Sequence, residues 1–129
     1  MMEGKGFFTL PQAFSPEDVQ EARDLIMKLS KFDKPKVTHF HGSHEDEVSL
    51  QRRVWNLINK GEVFQKMVQQ PKIVEIASAF LGDEFILGSI AANRLLPGGP
   101  GQEPHIDYPY WDYYNKKSFP FALNPSFPL

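Results

Sequence analysis

Five consecutive residues, Pro97-Gly98-Gly99-Pro100-Gly101, constrain this chain more than any other feature. Three Gly and two Pro in a row exclude a helix there. Pro104 then disfavours the helical region for Glu103, so the chain is expected to enter His105 extended. Side chains of an extended chain alternate faces. His105 and Asp107 therefore share a side, roughly 7 Å apart at the usual strand rise, while Ile106 points the other way. An imidazole and a carboxylate converging on one point are two of the three donors in the facial triad of non-haem Fe(II) sites. A His-x-Asp tripeptide is also common by chance, and its plain alternative is a surface His beside a solvated Asp.

The flanks of this motif add information. Ala92-Asn93-Arg94-Leu95-Leu96-Pro97-Gly98 closes an expected strand, and Tyr108-Pro109-Tyr110-Trp111-Asp112-Tyr113-Tyr114 is crowded with aromatics. An Asn, then Pro-Gly, then Gln102, then His105-x-Asp107-Tyr108 resembles the phytanoyl-CoA dioxygenase family of Fe(II)/2-oxoglutarate oxygenases. The likeness continues upstream through Arg53-Val54-Trp55-Asn56-Leu57-Ile58-Asn59-Lys60-Gly61 and Phe80-Leu81-Gly82-Asp83. It covers nearly the whole chain and is most specific over residues 93–111.

The resemblance implies an α+β fold. N-terminal helices would pack on part of a mainly antiparallel double-stranded β-helix, a jelly-roll of the cupin kind, incomplete in this chain. It implies Fe(II) held by His105, Asp107 and a second His, with 2-oxoglutarate as cosubstrate and a small organic molecule hydroxylated at an unactivated C–H bond. Asn93 and Gln102 are candidates to bind the cosubstrate, although Asn93 equally suits a turn at a strand end. Tyr108, Tyr110 and Trp111 could wall an apolar substrate pocket or simply cover the sheet. Family members run to roughly twice this length and more. They carry the second His on a later strand, followed by an Arg that pairs with the 2-oxoglutarate carboxylate. No His follows His105 and no Arg follows Arg94. The chain is therefore expected to be a fragment, a truncated product, or one completed by another chain. A non-catalytic module that binds a partner, or itself, through an unfinished sheet edge is the alternative function.

Composition narrows the remaining classes. The 129 residues suit a single domain, or the N-terminal part of one, mainly helical over 1–82 and β over 83–129. A net charge of −2 offers no basic footprint for nucleic acid. With no cysteine there is neither a disulfide framework nor thiolate chemistry. No apolar run reaches the ~18 residues of a membrane span, and the first residues lack a signal-peptide core, so a cytoplasmic protein is expected.

Along the chain, Phe7-Phe8-Thr9-Leu10 is a strand candidate. Ser15-Pro16-Glu17-Asp18 starts a helix, with Ser as cap, Pro in the first turn and acids at the positive end of the dipole. Val19, Ala22, Leu25, Ile26 and Leu29 carry that helix to about Lys31. Residues 32–45 read as a polar loop. Its His39, His41 and His44 form the rival metal site, and His39-x-His41 with Glu45 resembles half of a cupin metal motif. Arg52 stands where that motif needs Gly. A helix is expected from about Glu47 to Lys60, with Val48, Val54, Trp55, Leu57 and Ile58 inward and Gly61 as its stop. Arg52 and Arg53 would lie on it, either solvated or facing an anionic substrate or cosubstrate. Short helices follow over 62–70 and from Pro71 to Gly82, and Trp55, Phe64 and Phe80 are expected core anchors. From Phe85 to Asn93 the period becomes two, with Leu87, Ser89, Ala91 and Asn93 on the face suited to a ligand cavity. The apolar end, Phe119 to Leu129, is expected at a sheet edge, where it would promote self-association.

Overall fold

The structure is a computed structural model and describes residues 7–31, 50–99 and 122–129. Among these residues the fold is α+β. The order is helix α1 (Pro16–Leu29), strand β1 (Gln51–Val54), a 3-10 turn (Leu57–Asn59), helix α2 (Glu62–Val68), helix α3 (Pro71–Leu81) and strand β2 (Ala92–Leu95).

The helices form where their caps dictate. The Asp18 backbone N–H donates to Ser15 Oγ at 3.1 Å, satisfying one of the donors that every helix start leaves open. Pro16 occupies the first turn, Glu17 and Asp18 sit at the positive dipole end, and Lys28 lies in the last turn. Gln70 caps α3 through its side-chain oxygen, which accepts from the Ile73 N–H at 3.0 Å. Its amide nitrogen donates to the Ala13 carbonyl at 3.0 Å, tying the start of α3 to the segment before α1. Gly82 ends α3 at φ +85, ψ 176, a region open essentially to Gly alone.

The core is small and lies where α1, β1, the 3-10 turn and α2 meet. Ala22, Val54, Leu57, Val63, Phe64 and Met67 are buried, and Phe14, Leu25, Ile26, Leu29, Ile90, Ala92 and Phe127 pack on them. Ala22 lets α1 approach α2 closely, and Gly61 continues that contact. A Cβ at Gly61 would come within 2.7 Å of Leu25 Cδ1.

Several expectations are corrected here. The helix from Glu47 to Lys60 is not formed over its described part. Residues 51–54 are a strand and 57–59 a 3-10 turn. The two are separated by Asn56 in the left-handed region at φ 54, ψ 51. Apolar residues at 54, 55, 57 and 58 fit a helical period, but pairing with β2 turns 54 and 55 to opposite faces. Val54 is 1% exposed and Trp55 49%, so Trp55 is not a core anchor. Phe64 is buried as expected, and Phe80 is half-buried.

β1 and β2 pair antiparallel, with Gln51↔Leu95, Arg52↔Arg94, Arg53↔Asn93 and Val54↔Ala92. The strand expected over 85–93 is regular only from Ala92. Beyond Val54 the 3-10 turn carries its partner away, leaving one further bond, from the Leu57 N–H to the Ile90 carbonyl at 3.2 Å. Phe7–Leu10 is in no strand. Neither are residues 122–129, and Phe127 does not sit at a sheet edge. Its ring meets Phe14 edge-on at 5.1 Å and 88°, against the core.

Candidate functional site

Among the described residues the two-stranded sheet has one face on the core and one open, because directly opposed residues of an antiparallel pair share a face. Val54 and Ala92 face inward with Arg52 and Arg94. Arg53 and Asn93 oppose one another on the open face, and Trp55 follows two residues after Arg53. The Arg53 guanidinium carbon lies 4.1 Å from the Trp55 ring centroid, a cation–π stack of about 0.5–1 kcal/mol at an exposed site. The stack fixes the guanidinium plane, and Arg53 Nε is shielded from solvent. Asn93 is exposed beside it.

Where β1 and residues 87–90 separate, they leave a cavity of about 430 Å³. Trp55, Asn56, Ile58, Leu87, Gly88, Ser89 and Ile90 line it. Leu87 and Ser89 belong to the face expected to border a ligand, and Asn93 lies further along the same run. The cavity itself offers an indole wall and a hydroxyl among apolar groups, and Arg53 and Asn93 lie on the neighbouring sheet face outside its lining.

The inward face places two arginines opposite one another, which is unfavourable unless each has a partner. Arg94 Nη1 donates to Ser30 Oγ at 3.2 Å. Ser30 is 1% exposed, caps the C-terminal end of α1 and donates to the Met27 carbonyl at 3.2 Å. The negative end of the α1 dipole also favours a cation there. This contact anchors β2, and with it Asn93, to α1. Arg52 is half-buried on the strand and is not a solvated helix charge.

Of the expected site residues, Asn93 is thus placed on the open face. His105, Asp107, Gln102, Tyr108, Tyr110 and Trp111 lie outside the described residues, as do His39, His41 and His44. Among the described residues no three His, Asp or Glu gather as a metal site. The donor chemistry of His105 and Asp107, one imidazole and one carboxylate, fits Fe(II), and the open face fits a carboxylate cosubstrate. From the sequence Arg53 was a helical arginine, solvated or facing an anion, and Trp55 a core anchor; their place beside Asn93 was not assigned. Their signal is the alternation Arg53-x-Trp55, which reads as one sheet face once 51–54 is a strand. Among the described residues no helix is long and apolar enough to cross a membrane.

The chain is similar to the L-proline trans-4-hydroxylase of Streptomyces griseoviridis, 26% identical over 120 residues that span 92% of this chain and 43% of that protein. It is similar to the methylphosphonate hydroxylase of Gimesia maris, 27% identical over 110 residues that span 84% of this chain and 42% of that protein. It therefore spans less than half the length of either relative. No solved structure matches it. The family model for phytanoyl-CoA dioxygenase matches residues 2–125, and the chain belongs to the phytanoyl-CoA dioxygenase family.

Proposed function

We propose that the chain is the N-terminal part of a cytoplasmic non-haem Fe(II)/2-oxoglutarate-dependent dioxygenase that hydroxylates a small organic substrate. In this reading the α1–α3 helices flank part of a double-stranded β-helix, and β1 and β2 are two of its strands. The observation that carries it is the pairing of Arg53 with Asn93 on the open sheet face, beside a cavity walled by Trp55. Family membership supplies the reaction class. The two hydroxylase relatives are named for L-proline and methylphosphonate, both small polar molecules, which supports a small substrate here.

His105 and Asp107 would hold the metal. Fe(II) with 2-oxoglutarate supplies the oxidising power that protein side chains lack. The chain's own residues bind, orient and shield. Arg53 presents charged donors to a carboxylate, held flat by Trp55. Asn93 adds a neutral donor from the opposing strand, and Gln102 would serve the same end. Leu87 and Ile90 give the cavity an apolar lining, Ser89 offers a hydroxyl, and Tyr108, Tyr110 and Trp111 would complete the apolar wall.

Co(II) absorption titration of the chain tests the metal assignment. Binding is expected to be lost in His105→Ala and in Asp107→Ala, and to persist when His39, His41 and His44 are all replaced by Ala. Loss in the triple variant with retention in His105→Ala would move the site to the upstream loop and favour a cupin-like metal protein.

A further inference from the structure

β2 carries a charge where its pairing does not favour one. Arg94 faces the core side directly opposite Arg52, and like charges directly opposed across a sheet are destabilising. The apolar residues of the strand do not require this arrangement. They come in adjacent pairs, Ala91-Ala92 and Leu95-Leu96, with Asn93-Arg94 between them. A one-residue slip moves every side chain of a strand to the other face. Here it exchanges Ala for Ala and Leu for Leu, so apolar burial is alike in both registers. The slip that sets Ala92 against Arg53 moves Arg94 to the open face, away from Arg52, and turns Asn93 inward. A buried carboxamide costs less than a buried guanidinium. Pairing of β1 with β2 by itself therefore favours the slip over the register that the structure adopts.

One contact opposes the slip. Arg94 Nη1 donates to Ser30 Oγ at 3.2 Å. Ser30 is buried, and its own hydroxyl donates to the Met27 carbonyl at 3.2 Å, so its oxygen is left to accept. It caps the C-terminal end of α1, where the negative end of the helix dipole adds to the attraction for a cation. Ser30 lies on the inward side of the sheet, so it favours only the register that turns Arg94 inward. We propose that Ser30 sets the register of β2 through Arg94, and that the two are positioning residues holding Asn93 opposite Arg53. Fixing a register is the best-attested use of a buried polar contact that stability alone does not require. The register follows from the sheet and α1 alone; its bearing on 2-oxoglutarate rests on the oxygenase reading.

Cross-strand NMR contacts in the 129-residue chain test it. The Leu96 N–H donates to the Leu50 carbonyl at 2.8 Å, so the even-numbered pairs are hydrogen-bonded, and Arg53 and Asn93 form a close pair whose α-protons meet. The parent chain should show the Arg53–Asn93 α-proton contact. Ser30→Ala should bring up an Arg53–Ala92 contact, moving the ratio of registers about tenfold or more toward the slip while the helical circular dichroism is unchanged. Ser30→Ala/Arg94→Met should restore the Arg53–Asn93 contact, because an apolar side chain there takes the inward face without a partner. A single native register in Ser30→Ala would overturn the proposal. Loss of the β1–β2 contacts with no slipped set, or a double variant that does not recover, would overturn it too, since a contact that only adds stability behaves in those ways. The 2-oxoglutarate affinity of the Co(II)-loaded Ser30→Ala chain should fall in proportion to the slipped fraction. A slip with unchanged affinity would uphold the register assignment and remove Asn93 from the cosubstrate site.

Discussion

Arg53 shows what one position can gain from its neighbours. Its sequence context gives a charge between another Arg and a Val. In the fold it stacks on Trp55, whose ring is one wall of the site cavity, and opposes Asn93. The charged hydrogen bond proposed from Arg53 to the cosubstrate carboxylate would contribute about 1.5–3 kcal/mol. Replacing Arg53 by Ala is therefore expected to weaken 2-oxoglutarate binding to the Co(II)-loaded chain about ten- to a hundredfold, read by isothermal calorimetry. Arg53→Lys should recover only part, because Lys neither stacks as a plane nor binds a carboxylate in two places. Unchanged affinity in Arg53→Ala would remove this residue from the site.

At the scale of elements, the helices and the strands differ in where their information lies. Ser15-Pro16 and Pro71 mark the starts of α1 and α3, and Gly82 marks the end of α3, within a residue or two of the expected bounds. Caps and helical periods act over three or four residues, so a single sequence exposes them. Gly82 gives a clean test of such a signal. A Cβ there would touch nothing within 4 Å, so substitution acts through the backbone alone. Gly82→Ala should cost about 1–3 kcal/mol, measured by urea denaturation. Equal stability would mean that the end of α3 relaxes freely. β1 carries no comparable local mark. Gln51-Arg52-Arg53-Val54 becomes a strand because residues 92–95, forty positions later, supply its partner.

Over the described residues, the core joins segments distant in sequence, and Phe127 on Phe14 is one such link. Phe127→Ala should lower global stability by about 2 kcal/mol in denaturant, with the helical content of the native state retained. No change in midpoint would mean that the last residues do not help to hold the core. The sequence alone determined the helix caps, the apolar stripe of α1, the burial of Phe64, the turn at Pro97-Gly98-Gly99 and the family motif around His105 and Asp107, because each is written in neighbouring residues. Only the tertiary structure decided that 51–54 is a strand, that Trp55 faces out under Arg53, that Arg94 is held by Ser30, and that Phe127 belongs to the core. Those outcomes depend on which distant segments meet, and pairing across forty or a hundred residues leaves no periodic trace in either partner.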